Sequence, residues 1–304
     1  MKNGNYFERI RPFVLPFALL LGFLFHSSCI QLQFLTPWLI FFILFMTLCD
    51  LDLKEVRIKP LHIWLVVFQI VAAIAVYVLL LPVNKTLAQG AFMGIFAPVA
   101  VSSAVIAVML GAKLDNMVSF TILSNLTVAV TAPVILSFIG GSDSIPFWDS
   151  ALMIVGKVAP VIILPLVAAF ICQNYFPKTR KAIVRFKTIP FYLWAFALTL
   201  VTGQTIDFIS RQNRSGIPLL LAMLVVSLGQ CVLHFSFGSW LGKKYGDSIS
   251  GSQSLGQKNF LLAIWISQMF LSPLASVVPA SYVLWQNLWN SWQLWQVKKK
   301  EQPG

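Results

Sequence analysis

Ser248-Ile-Ser-Gly-Ser-Gln-Ser-Leu-Gly-Gln-Lys-Asn259 is a polar run at the head of an otherwise apolar stretch, 249–270, in a chain that is 58% apolar and 11% charged. A soluble domain of 304 residues has no core large enough for so many apolar side chains, so lipid is the expected solvent. A helix crosses a hydrocarbon layer of about 30 Å with about 20 residues. Serines, glycines, amides and a lysine do not make such a rod, so this stretch is predicted to break in mid-membrane. A second stretch, 87–110, carries Gly90, Gly94 and Pro98 followed by Ser102 and Ser103, and predicts a second break. Unwound backbone at that depth is tolerated only where protein or a wet cavity satisfies its N–H and C=O groups, and carriers use such breaks to hold ions and substrate. The competing reading is that these small residues only let helices pack closely. Two breaks at corresponding places in the two halves favour a site.

Outward from these breaks, apolar stretches run over 12–26, 34–49, 61–81, 87–110, 117–139, 151–172, 190–206, 217–241, 249–270 and 274–294. If each crosses once, one side receives seventeen basic residues: Lys2, Arg9, Arg11, Lys54, Arg57, Lys59, Lys113, Lys178, Arg180, Lys181, Arg185, Lys187, Lys243, Lys244, Lys298, Lys299 and Lys300. The other receives three, Lys85, Arg211 and Arg214. This bias puts both termini in the cytoplasm, in what is expected to be a bacterial inner membrane. The net charge of +12 is thus a topology signal, and no nucleic-acid partner follows from it. The first stretch could be read as a signal peptide ending at Cys29, but His26 and the lack of a small-residue cleavage site argue against that. Cys29, Cys49, Cys172 and Cys231 form no CxxC pair and imply no metal or disulfide framework.

The expected fold is an all-α polytopic membrane protein of ten transmembrane helices in two five-helix repeats, 1–142 and 143–304. An odd number of spans per repeat inverts one relative to the other, the architecture in which rocking exposes a midplane site alternately. Pro12-Phe-Val-Leu-Pro16 in the first stretch and Pro160-Val-Ile-Ile-Leu-Pro165 in the sixth are a faint echo of that repeat.

Several motifs carry a resemblance. Ala97-Pro98-Val-Ala-Val-Ser-Ser103, continuing through Thr121-Ile-Leu-Ser-Asn-Leu126 to Pro133, aligns without a gap on a CPGGTASN segment, the threonine and STL motif after it, and a later proline. Ser254-Leu-Gly-Gln-Lys-Asn259-Phe-Leu-Leu-Ala263 is similar to ExGxQNxxLA; Pro279-Ala280 and Trp285-Gln-Asn287-Leu-Trp-Asn-Ser291 are similar to PAA and WHNLxGS. Residues 44–61, LFMTLCDLDLKEVRIKPL, resemble a second helix and its basic loop. Together these resemble the bile acid:sodium symporter family over most of the chain. The resemblance implies a panel of spans 1, 2, 6 and 7 and a core of spans 3–5 and 8–10, in which broken spans 4 and 9 cross. It implies two sodium ions behind the crossing and an organic anion, such as a bile salt, steroid sulfate, pyruvate-like acid or pantoate, between core and panel.

Carried over by residue, Ser103, Thr121 and Gln69 match sodium-ligand positions, so any metal site is a degenerate one. Ala104, Met117, Ser254 and Lys258 stand where the family has asparagine, serine, glutamate and glutamine. A hard cation needs carboxylate or several well-placed oxygens to replace its water, so ordinary sodium symport is not the expectation. One glutamate plus two sodium ions sums to +1, and so does Ser254 plus a protonated Lys258. The Lys258 ammonium is therefore expected in the space of one sodium, donating to Gln69 and to unwound carbonyls. A charge at that depth costs about 2.5–3.5 kcal/mol on insertion scales and is functional by default. Two alternatives stand: the lysine releases a proton during the cycle and couples transport to protons, or it is a static tether in a uniporter. Asn259, Gln286 and Asn287 match substrate-contacting amides, which donate to a carboxylate or sulfate without carrying charge. Backbone N–H groups near Pro98 to Val101 add an anion site at a half-helix N-terminus.

Lys157 in the sixth stretch, His234 in the eighth and Asp207 near the end of the seventh are other polar residues in awkward places, either members of a proton path or side chains that snorkel or bond to a neighbouring helix. The sequence has no HExxH, no GxSxG and no paired intramembrane aspartates, so no enzyme and no cofactor is expected. The functional expectation is a secondary transporter of a small organic anion working by alternating access. The alternatives are a sodium-independent uniporter or exporter of the wider inverted-repeat superfamily that includes auxin-efflux and arsenite-efflux carriers, and, more remotely, a polytopic enzyme or a receptor.

Overall fold

The computed structural model describes residues 14, 16–51, 56–101, 103–140, 146–186, 188–211 and 216–301. Lys2, Arg9, Arg11, Pro12, Lys54, Ser102, Lys187 and Arg214, used above, lie outside the described residues. Within them every regular element is helical apart from one isolated β-bridge. The helices are α1 (16–24), α2 (His26–Gln31), α3 (Thr36–Asp50), α4 (Pro60–Leu80), α5 (Lys85–Phe96), α6 (Ser103–Met109), α7 (Leu114–Gly140), α8 (Phe147–Tyr175), α9 (Pro177–Arg185), α10 (Ile189–Ser210), α11 (Ile217–Lys244), α12 (Ser248–Gly256), α13 (Phe260–Phe270) and α14 (Val277–Glu301).

Six of these are long and apolar enough to cross a membrane: α3 with the 3-10 turn before it, α4, α7, α8, α10 and α11. Their outward faces carry large exposed apolar side chains such as Leu79, Val130, Phe138 and Leu152. Water would disfavour that surface and hydrocarbon accepts it, so the chain is an integral membrane protein. Elsewhere the predicted spans differ in form. The first stretch holds α1, with α2 following from its predicted end at 26; the fourth is α5 plus α6, and the ninth is α12 plus α13. The tenth begins as a 3-10 turn, Pro273–Ser276, and its helix α14 runs beyond the predicted end at 294.

Local chemistry sets the boundaries. Proline occupies the first turn of α3, α4, α9, α10 and α11, where its missing N–H costs nothing. Asn84 caps α5 by accepting from Leu87 N (3.0 Å), and Asp247 caps α12 by accepting from Ser250 N (3.0 Å). Gly111 (φ 96°) and Gly246 (φ 73°) turn the chain through the left-handed region after α6 and α11. Helix α9, read from sequence only as a basic loop, has a capping role: Arg180 donates from Nε to Cys49 O (3.0 Å) and from Nη2 to Leu51 O (3.3 Å), closing the end of α3.

Two packed groups result. Helices α2 and α3 lie against α8 and α10, whereas α4, α5, α11, α12 and α14 pack among themselves, with α7 touching both. Close packing within the second group depends on glycine. Gly238 and Gly242, one turn apart on α11, let Gly251 of α12 come into backbone contact, and a Cβ on Gly251 would run into Gly238 O. Gly90 and Gly94 of α5 likewise leave no room for a Cβ, against Val278 and Gln230. The close-packing account therefore holds for these glycines, and the chain breaks further on, at Ala97 and Pro98.

Candidate functional site

The two breaks meet. Residues Val99 and Lys258 form an antiparallel bridge, flanked by Asn259 N donating to Pro98 O (2.7 Å) and Ala100 N donating to Gln257 O (3.3 Å). Each unwound strand thereby satisfies part of the other, in a region where a bare peptide group costs several kcal/mol. Side chains supply the remaining partners. Val99 N donates to Ser124 Oγ (3.3 Å), Asn125 Nδ2 donates to Val99 O (3.0 Å), Lys258 N donates to Gln286 Oε1 (2.9 Å), and Tyr282 OH donates to Gly256 O (3.1 Å).

The end of α5 is the focus. Its last carbonyls have no following helical turn to bond to, and they form the negative end of the helix dipole. Lys258, 2% exposed, donates from Nζ to Ile95 O (2.9 Å). Gln69, 1% exposed, donates from Nε2 to Phe96 O (2.7 Å) and Ala97 O (3.0 Å), and its Oε1 accepts from Ser124 Oγ (3.0 Å). One ammonium and one amide thus divide three carbonyls. This corrects one expectation: Lys258 and Gln69 do not bond to each other, because the amide oxygen that would accept from the ammonium accepts from Ser124 Oγ instead, and the ammonium goes to Ile95 O. Gln69→Leu is expected to leave Phe96 O and Ala97 O buried without donors and to lower stability by about 1–3 kcal/mol, read as a drop in unfolding temperature in detergent.

The other cation-site positions separate into two kinds. Ser254 Oγ lies 3.6 Å from Met117 Sδ, so the two residues that replace oxygen ligands face each other. Ser103 Oγ and Thr121 Oγ1 are buried and have no hydrogen-bond partner among the described residues. A buried bare hydroxyl is rare, and these are the two hydroxyls the sequence singles out. They fit a water or a weakly held cation better than a tightly bound one, because no carboxylate accompanies them and no cluster of three His, Cys, Asp or Glu occurs among the described residues.

Of the residues expected to contact substrate, Pro98 and Val101 lie in the first break. Asn259 Oδ1 accepts from Leu262 N (3.3 Å) and caps α13, which leaves its amide N–H groups for other partners. Gln286 is held by Lys258 N, and Asn287 Nδ2 is turned back on its own helix at Val283 O (2.7 Å). Between the two packed groups lies a cavity of about 10 Å³, lined by Val101, Thr121 and Asn125 on one side and Leu44, Leu48, Ile162 and Leu166 on the other. That is room for about one water. Val101 and Thr121 are the only residues of the sequence-derived site that line it.

Lys157 is exposed on α8. Asp207 is paired with Arg211 (2.6 Å) and lies 3.7 Å from His26. His234 is fully buried, with Nδ1 2.8 Å from Tyr282 OH. Sequence reasoning missed Tyr282, Asn290, Gln293, Gln253, Gln257 and Ser124. Tyr282, Gln286, Asn290 and Gln293 recur at helical spacing, a polar stripe that a hydropathy average over the stretch conceals. At the α4 and α7 starts, Lys59 donates to Asp115 Oδ2 (2.8 Å) and to Asn116 Oδ1, and Asn116 Nδ2 donates to Asp247 Oδ2, tying α4, α7 and α12 together. No family model matches the chain, and no curated protein matches it.

Proposed function

We propose that the chain is a secondary transporter of a small organic anion that works by alternating access, with the Lys258 ammonium in the place of a coupling cation. One observation carries this: a lysine, 2% exposed, at the crossing of two unwound segments, with its amine bonded to one of the end carbonyls of a half-helix. A charge so placed is too costly to persist without a function. The N-terminus of α13, capped by Asn259 whose amide N–H groups are left for other partners, is a place where an anion is favoured. The two packed groups then act as panel (α1–α3, α8, α10) and core. The ten crossings, the inverted repeats 1–142 and 143–304 and the cytoplasmic termini belong to the same proposal, as does its resemblance to the bile acid:sodium symporter family.

Proteoliposomes loaded and diluted to impose either a sodium or a proton gradient test it, with labelled taurocholate, pyruvate and pantoate as probes. Saturable counterflow of at least one probe is expected. A proton gradient that drives uptake in the wild type, and not in Lys258→Gln, makes the lysine the coupling residue. Uptake that ignores both gradients favours the uniporter reading with Lys258 as a tether. No counterflow of any organic anion, with a correctly folded protein, sinks the transporter reading.

A further inference from the structure

Helix α14 turns one polar stripe toward α12. Gln286 accepts from Lys258 N and Gln293 Oε1 accepts from Gln253 Nε2 (2.8 Å), so both residues, seven apart, lie on the face that meets the broken helix. Asn290 is four residues beyond Gln286 and falls on that face between them. Tyr282, four residues before Gln286, continues it to Gly256 O and His234. On the opposing side Gln257 Nε2 donates to Gln253 Oε1. The seam is thus lined by amides from the partly exposed Gln293 near the lysine-rich end of α14 to the buried crossing.

Within it, Asn290 is 4% exposed, and neither Nδ2 nor Oδ1 has a hydrogen-bond partner among the described residues. The neighbouring Trp289 Nε1 and, at the inner end, His234 Nε2 are also without one. Leaving both ends of a carboxamide bare costs more than replacing it with leucine of similar volume. Such a group is retained when water meets it, and a buried water needs two to four polar partners of the kind this seam supplies.

We propose that the seam between α12 and α14 holds a file of ordered water joining the Lys258 crossing to the aqueous phase at the lysine-rich end of α14. The amides orient the waters, with Gln293 and Gln253 at the mouth, Asn290 midway and Gln286 with Tyr282 at the inner end. Such a file gives the buried amine a one-sided route for exchanging protons with bulk water, in which only O–H and N–H bonds are made and broken. The ionisable groups on elements packed against the file are His234, Cys231, Lys243 and Lys244 of α11, Tyr282 and the lysines at the end of α14, Lys85 of α5, Tyr77 of α4, Asp207 of α10, and, at the starts of their helices, Asp247, Asp115, His62 and Lys59. The proposal rests on the reading of Lys258 as a functional charge, but on no substrate.

Hydroxyl-radical footprinting of the wild-type protein in nanodiscs tests it, because internal water generates radicals where it sits. Tyr282, fully buried, is expected to be modified at least about 10-fold faster than equally buried Phe92 and Phe96 after correction for intrinsic reactivity. Asn290→Leu is expected to bring Tyr282 down to their rate while leaving the unfolding temperature unchanged or raised. If that variant does not fold, Gln293→Leu at the mouth is expected to slow Tyr282 in the same sense. A wild-type Tyr282 as slow as the two phenylalanines overturns the file, and so does a fast Tyr282 indifferent to whichever of these replacements folds. Neither measurement requires transport, so the carrier reading can fail while the file stands.

Discussion

Lys258→Ala is expected to abolish the proposed transport, with a loss of at least about 100-fold, and to lower the stability of the folded protein by about 1–3 kcal/mol. The two effects have separable causes. Removing the amine leaves Ile95 O, at the end of α5, without its donor in a site that 2% exposure marks as closed to solvent. It also removes the positive charge at the helix end that, in the proposed carrier, balances the field of an anion. Lys258→Gln separates the two. Glutamine is shorter and neutral but can still donate to Ile95 O, so stability is expected to return most of the way to wild type while transport stays low. Initial rates of counterflow, read beside unfolding temperatures in the same detergent, make the comparison. A neutral variant that transported at wild-type rate would leave the lysine with a structural role only.

The second large effect is steric. Gly251→Ala places a methyl group against Gly238 O and close to Gly242 Cα (2.8 Å), and both are backbone atoms with no rotamer in which to retreat. Overpacking of a tight contact costs about 1–3 kcal/mol, and here the whole of α12 must move away from α11 to relieve it. Because α12 leads directly into Gln257 and Lys258, that movement pulls on the bridge to Val99. A lowered unfolding temperature is expected together with lost counterflow. Gly156→Ala, where nothing lies within 4 Å of the new methyl, is the control and is expected to change neither.

The two breaks were legible because their causes are local. Proline at 98 and the serine-, glycine- and amide-rich run before Asn259 cannot form a continuous apolar helix in any context. Lys258 was legible for a related reason, since an ammonium in an apolar stretch has few outcomes. Its hydrogen bond to Ile95 O, in place of the one expected to Gln69, was not, because which carbonyl each donor reaches depends on the crossing geometry of α4, α5 and α12. Asn259 and Asn287 were read as substrate amides from motif positions; both spend one atom on their own helices, at Leu262 N and Val283 O. Composition cannot tell a cap from a ligand contact, as asparagine serves equally in either. The stripe from Tyr282 to Gln293 is hidden in the apolar average of the tenth stretch, because its meaning lies in the 3.6-residue period of the exceptions. The glycines carry a different lesson: Gly90 and Gly94 are packing residues, and their nearness to the break misattributes its cause.

The one-water gap at Val101, Thr121 and Ile162 bears on affinity. On the proposed carrier reading, a bile salt or even a three-carbon acid finds no volume there until the two packed groups part, so its binding would require a conformer other than this one. The dissociation constant measured for any ligand is then its intrinsic value divided by the fraction of molecules already parted; if that fraction were about 1%, binding would look about 100-fold weaker than the contacts alone warrant. Substitutions that wedge the layers apart, such as a bulkier side chain at Leu48 or Ile162, should tighten apparent binding without touching the ligand, and a disulfide that clamps them should abolish it.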